Sequence, residues 1–169
     1  MKKVKILNTK ISEITLSQTA EILTSSKGKT VAVCNANSLV RSYRDKEINS
    51  ILNTFDLALP DGFPVAKASS MLYKNKQKRV DGFKIFNETI KKGLDNDTSH
   101  YFYGNSEEVI LKLITKLETD YPEVNISGYN CPPIGNEDEL SSPYYQELIT
   151  NLNPDIVWVS LGFPKQEKV

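Results

Sequence analysis

Several short apolar runs in this chain end on residues that could meet a ligand. VAVC leads into Asn35, LALP into Asp61 and Gly62, HYFY into Gly104 and Asn105, and IVWVSL into the polar stretch from Gly162 to Glu167. Where a strand passes through Gly or Asn into a helix, free backbone N–H groups can hold a phosphate. No G-x-G-x-x-G or G-x-x-x-x-G-K-[ST] accompanies these sites, so a dinucleotide fingerprint and a P-loop are both missing. No G-x-S-x-G is present either, which removes the familiar hydrolase elbow. A D-x-D triplet, Asp95 to Asp97, could hold a divalent ion at a strand end, but it follows the helical tail IKKGL and reads as a surface turn.

Elements that would position these residues alternate along the chain. VKILNTKI suggests an edge strand or hairpin. TLSQTAEILTSSKG has a capping box in Thr15 and Gln18 and a stop at Gly28, the marks of a helix. KTVAVCN is a strand, and NSLVRSYRDKEINSILNTF is one broken helix or two short ones. DLALPDG is a strand with the helix FPVAKASSMLY behind it, and KNKQKR is a solvated basic loop. VDGFKIFNETIKKGL carries a helical stripe through Phe83, Phe86 and Ile90. HYFYG is a strand, Ser106 caps the amphipathic helix EEVILKLITKLETDY, and EVNISGY is a strand. CPPIGNEDELSSP is a loop before the helix YYQELITNLN, and PDIVWVSLG is the closing strand. Strands alternating with helices across short loops imply parallel βαβ units. The expected fold is therefore α/β: a Rossmann-like open, mostly parallel sheet with helices on both faces and ligands beyond the strands' C-terminal ends.

Five segments taken together resemble the WecG/TagA/CpsF family of bacterial glycosyltransferases of surface-polysaccharide and teichoic-acid synthesis. They are NANSLV from Asn35, LALPDG from Leu57, RVDGFKIF from Arg79, YFYGNSEEV from Tyr101 and PDIVWVSLGFPKQE from Pro154. The resemblance runs from about Val4 onward, and residues 1–169 read as a single catalytic domain. It implies transfer of a sugar, N-acetylmannosamine or a related hexose, from a UDP-sugar to a polyprenyl-diphosphate-linked amino sugar, with inversion and without a metal or other cofactor. Such a transfer needs a base for the acceptor hydroxyl and charge stabilisation for the departing diphosphate. Asp61 fits the base, next to Gly62, which permits close approach; as a bland alternative it caps the following helix. Arg79 is the candidate for the diphosphate, or else a solvated end to the basic run. Asn35 and Gln166 suit sugar or nucleotide hydroxyls, or tie down loops. Lys165 complements the diphosphate or sits beside Glu167. Gly104 serves the substrate or the turn.

Two departures from the family's pattern bear on the sugar accepted. Val33 stands where a threonine is usual, and Gly82-Phe83-Lys84 replaces G-x-D, so an acidic contact is expected to be missing. These substitutions give the alternative reading, a nucleotide-sugar-binding scaffold impaired in turnover, its weight; a Rossmann oxidoreductase is disfavoured by the missing glycine fingerprint. The family continues past P-K-Q-E into a tail that brings the enzyme to the membrane. The 169-residue form is therefore expected to have an open site, to bind UDP weakly and to self-associate.

Composition narrows the partners. Lys plus Arg and Asp plus Glu are both 21, which leaves no basic footprint for nucleic acid. One histidine, His100, and two separated cysteines, Cys34 and Cys131, make a zinc site unexpected. No apolar run approaches the roughly 20 residues of a membrane-crossing helix. The expected location is cytoplasmic, peripheral at the inner face of the plasma membrane through the tail.

Overall fold

The computed structural model describes all 169 residues. They form β1 (Lys3–Ile6), β2 (Thr9–Ser12), α1 (Leu16–Ser25), β3 (Val31–Cys34), α2 (Ala36–Arg44), α3 (Lys46–Thr54), β4 (Leu57–Pro60) and α4 (Phe63–Tyr73). Next come α5 (Gly82–Leu94), β5 (Ser99–Gly104), α6 (Glu107–Asp120) and β6 (Asn125–Asn130). The chain ends with α7 (Glu137–Leu140), α8 (Pro143–Leu152), β7 (Ile156–Ser160) and α9 (Lys165–Lys168). The α/β class and the parallel pairing expected from the alternation are both present. Two compact units divide the chain, Met1–Thr89 and Ile90–Val169.

In the first unit, β1 and β2 form an antiparallel hairpin whose turn residues, Leu7 and Asn8, both have positive φ. Beside it lies a parallel ladder in which Val31 faces Leu57 and Cys34 faces Pro60. Every residue of β4 is buried, the continuous apolar signature of a strand covered on both sides. Leu57 and Leu59 pack with Ile14, Ala20, Val80 and Ile85, and the fully buried Cys34 forms no disulfide. The capping box of α1 forms as its sequence implies. Asp45 breaks the next helical stretch by accepting from the N–H groups of Glu47 and Ile48, so two short helices result.

The second unit has a three-stranded parallel ladder in the order β6-β5-β7. Its central strand buries Tyr101, Phe102 and Tyr103. The Tyr103 hydroxyl donates to Leu140 O, which fixes α7 against the sheet.

Four local expectations are corrected. Phe83 is 74% exposed; the buried stripe of α5 runs through Ile85, Thr89 and Ile90, because the helix begins at Gly82 and turns Phe83 outward. Ser106 makes no side-chain cap; instead Asn105 Oδ1 accepts from the Ser106 N–H. KNKQKR is more than a solvated loop, since the Gln77 amide accepts from Ile14 N–H and donates to Ile14 O. Within CPPIGNEDELSSP a short helix, α7, forms behind an Asn136–Glu139 capping box.

His100 on β5 is 1% exposed, and its Nδ1 accepts from the Trp158 indole N–H at 3.2 Å. Burial, partly opposed by the Asp155 charge, pushes its pKa down from 6.5 to about 4. Between those values the unfolded chain binds a proton that the folded chain refuses, so stability is complete above pH 6.5 and falls as pH drops toward 4. Acidification from pH 7 to 4.5 is expected to cost about 2–3 kcal/mol through this group. Denaturant melts across that range, compared with His100→Gln, should show a flatter acid limb in the variant.

Candidate active site

The C-terminal edge of the β3–β4 ladder gathers most of the candidate residues of the first unit. Asp61 follows β4 directly, and its backbone N–H donates to Cys34 O at 2.9 Å, so it leaves the sheet next to Asn35. Its Oδ1 accepts from the Gly62 N–H at 2.7 Å and from Arg79 Nε at 3.1 Å. The helix-cap alternative for Asp61 is therefore not what forms. The N-cap of α4 is Gly62, with φ +79 and no side-chain cap bond, and the Asp61 carboxylate turns to the guanidinium instead.

Arg79 arrives because the Val80 N–H donates to Pro60 O at 3.0 Å, which draws the 74–81 connection back to the strand end. The arginine is half exposed but not merely solvated. Nε meets Asp61, and a terminal nitrogen meets Asp81 Oδ2. Asp81 is a site residue that the sequence pattern did not reveal. It places a carboxylate on Arg79 three positions before Lys84.

Asn35 is exposed and forms the N-cap of α2, where its Oδ1 accepts from the Ser38 N–H at 3.0 Å. Its oxygen is committed to the start of α2, which leaves its amide N–H groups for a ligand hydroxyl. Val33, one of the departures from the family's pattern, lies near the start of α5: a Cβ placed on Gly82 would sit 3.4 Å from Val33 Cγ1.

The second unit has its own polar edge beyond β5, β6 and β7. Gln166 is tied into the turn after β7, with Oε1 accepting from the Gly162 N–H and Nε2 donating to Glu167 Oε1, both at 3.2 Å. Lys165 does not pair with Glu167 but donates to Gly135 O at 2.7 Å. The Glu167 carboxyl is 9% exposed and leaves Oε2 buried without a partner. Burial raises its pKa, against a smaller opposing effect from Gln166. A crevice of about 610 Å³ opens beside this edge, lined by Asn105, Glu107, Tyr129, Asn130 and Cys131 among others. The Tyr129 hydroxyl donates to Glu107 Oε1 at 3.3 Å. Of these, only Asn105 stood out in the sequence; the signal for the rest was the strand end at Asn130, which resembles the start of a loop. Asp95 and Asp97 are exposed in the turn between α5 and β5, and Asn125 Nδ2 donates to Asp97 Oδ1.

Residues 4–169 match the glycosyl transferase WecG/TagA/CpsF family. The chain belongs to that family. Two Bacillus relatives are each named N-acetylglucosaminyldiphosphoundecaprenol N-acetyl-beta-D-mannosaminyltransferase. The one from Bacillus spizizenii is 28% identical over 86% of this chain and 54% of its own length. The Bacillus subtilis protein is 26% identical over 83% of this chain and 53% of its own. A Staphylococcus aureus protein with the same name is 28% identical over 70% of this chain and 44% of its own. The chain thus spans about half the length of the Bacillus relatives it matches.

Gly104 has a structural duty at the second edge. Its φ is +110, and a Cβ there would lie 2.4 Å from the carbonyl oxygen of Ser160, where β5 and β7 meet. Gly104→Ala is expected to lose at least about 2 kcal/mol of stability, because both the backbone conformation and the strand contact resist it. Chemical denaturation monitored through Trp158 on β7 checks this directly.

Proposed function

We propose that this protein is an inverting glycosyltransferase that moves N-acetylmannosamine from a UDP-sugar to an N-acetylglucosaminyl-diphospho-polyprenol acceptor. The observation that carries the reading is the Asp61–Arg79 pair at the open end of a parallel ladder, a carboxylate beside a permanent cation in a family of glycosyl transferases. The transferred sugar and the acceptor are read from the names of the relatives, and the UDP donor from the family resemblance and the cation at Arg79.

In this scheme the acceptor hydroxyl attacks the anomeric carbon while its proton passes to Asp61. The new C–O bond forms on the face opposite the bond to the diphosphate, which breaks and leaves with its electron pair as UDP. Arg79 offers a planar fork of N–H donors to the oxygens that gain charge. Gly62 keeps the backbone low beside Asp61, and Asn35 supplies amide N–H groups to a sugar or ribose hydroxyl. No step needs a metal or an organic cofactor, since the guanidinium provides the positive charge. A polyprenyl acceptor confines the reaction to a membrane surface, and a nucleotide donor to its cytoplasmic face. No helix of the structure is long and apolar enough to cross a membrane.

Asp61→Asn is expected to cut turnover by about 10²- to 10⁴-fold while UDP binding is retained. Transfer assays alongside calorimetry check the split; turnover at the wild-type rate would remove Asp61 from the base role. Saturating EDTA should leave both binding and transfer unchanged, and Asp95→Ala with Asp97→Ala should behave like the parent. Activity lost to EDTA and restored by magnesium or manganese would put a cation at the diphosphate.

A further inference from the structure

Between residues 62 and 80 the sequence carries five basic residues and no acidic one, in a chain whose net charge is zero. The structure turns that local excess into a surface of the first unit. In α4, Phe63, Lys67 and Met71 stand at i, i+4 and i+8, one exposed stripe opposite the buried Val65, Ala66 and Ser69. Phe63 is 73% exposed, Met71 69% and the flanking Leu72 65%. One exposed apolar side chain is ordinary, but three on an 11-residue helix make a patch. The cap residue Lys74, three positions after Met71, joins that stripe to the connection that follows. There the pattern continues with a period of two: Lys74, Lys76 and Lys78 are exposed, and Asn75 and Gln77 between them turn inward. Asn75 Nδ2 donates to Ser69 Oγ at 3.0 Å, and Gln77 Nε2 donates to Ile14 O at 2.7 Å. The Tyr73 hydroxyl ties the end of α4 to β1, donating to Lys5 O at 2.7 Å. The three ammonium groups thus ride on a fixed backbone, which limits the order lost when they bind together. Carboxylates of the surrounding elements are engaged elsewhere, Glu13 with Lys2 and both Asp61 and Asp81 with Arg79.

We propose that the exposed face of α4 and the connection from Lys74 to Lys78 form a docking surface for an anionic bilayer. The surface matches such an interface twice over. Phe63, Met71 and Leu72 enter the boundary between headgroups and acyl chains, and the lysines meet lipid phosphates. A nucleic acid would use the lysines and leave the apolar groups in water. Position supports the same occupant. α4 starts beside Asp61 and runs for about 16 Å, so the surface begins at the candidate site itself. A lipid-linked acceptor carries its reacting sugar one diphosphate above the acyl chains, and docking through α4 holds Asp61 near that level. The choice of a bilayer over a soluble partner rests on the lipid-linked acceptor proposed above, whereas the charge and apolar pattern stands apart from it.

Co-sedimentation of the whole chain with lipid vesicles tests this without any turnover. Vesicles of equal parts phosphatidylglycerol and phosphatidylcholine should bind it, pure phosphatidylcholine should not, and added salt should weaken the binding. Lys74→Gln, Lys76→Gln and Lys78→Gln combined should lower the partition coefficient by about 10²-fold. Met71→Ser with Leu72→Ser should lower it by at least about tenfold at an unchanged melting temperature, because both side chains already face water. In transfer assays the lysine variant should be slow on a vesicle-embedded acceptor and match the wild type on a short-chain, water-soluble one. No binding to anionic vesicles, equal binding to neutral ones, or binding that survives both sets of substitutions would overturn the proposal. Self-association abolished by Met71→Ser and Leu72→Ser would do the same, giving the surface to a second copy of the chain. Vesicle binding that is lost in both variants, with no transfer to either acceptor, would uphold the docking surface and remove the glycosyltransferase reading instead.

Discussion

Two backbone hydrogen bonds at the end of β4 hold the candidate chemistry together, one from Asp61 N–H to Cys34 O and one from Val80 N–H to Pro60 O. The first continues the β3–β4 ladder by one residue, so the acidic side chain leaves the sheet at a defined point beside Asn35. The second returns the long connection after α4 to the same strand end and brings Arg79 with it. Both bonds depend on an apolar strand being fully buried, since exposed backbone groups could satisfy themselves with water. The packing of Leu57, Leu59, Val80 and Ile85 is thus the support on which the Asp61–Arg79–Asp81 group stands.

One departure from the family's pattern, Val33, lies near the start of α5, the helix whose first turn carries the other, Lys84. Lys84 stands where the pattern has an acidic residue, and the carboxylate that meets the terminal nitrogen of Arg79 is Asp81, just before Gly82. A hydroxyl at position 33 would be a polar group beside the helix start, and valine fills that place with methyl groups. The substitutions thus leave a carboxylate and a guanidinium in contact at the strand end, the pair on which the proposed chemistry depends.

At the edge of the second unit polar groups are spent on each other. Gln166 closes the turn onto Gly162, Lys165 fastens the 135 loop, and Glu167 is drawn under cover by the helix that begins at Lys165. A carboxyl with one buried, unpartnered oxygen is costly to keep ionised, and its raised pKa expresses that cost. Much of the PKQE motif therefore builds the turn that ends β7, and its side chains reach a ligand only from a frame that they themselves hold in shape.

Local signals in the sequence determined a good deal. The Thr15–Gln18 box, the broken helical stretch NSLVRSYRDKEINSILNTF, the LALP strand and the strand–helix alternation each act within a few residues, and each formed as read. So did the position of Asp61 at a strand end, because periodicity and a following glycine are local properties. The outward turn of Phe83, the clamp of Gln77 on Ile14 and the pairing of Arg79 with both Asp61 and Asp81 were decided by tertiary structure. Gln77 lies 63 residues from Ile14, and Arg79 lies 18 from Asp61. No pattern in one segment records which distant strand end will receive it. Charge and hydrogen-bonding capacity are written in the residue types, but which carboxylate meets which cation depends on where the buried backbone returns the chain.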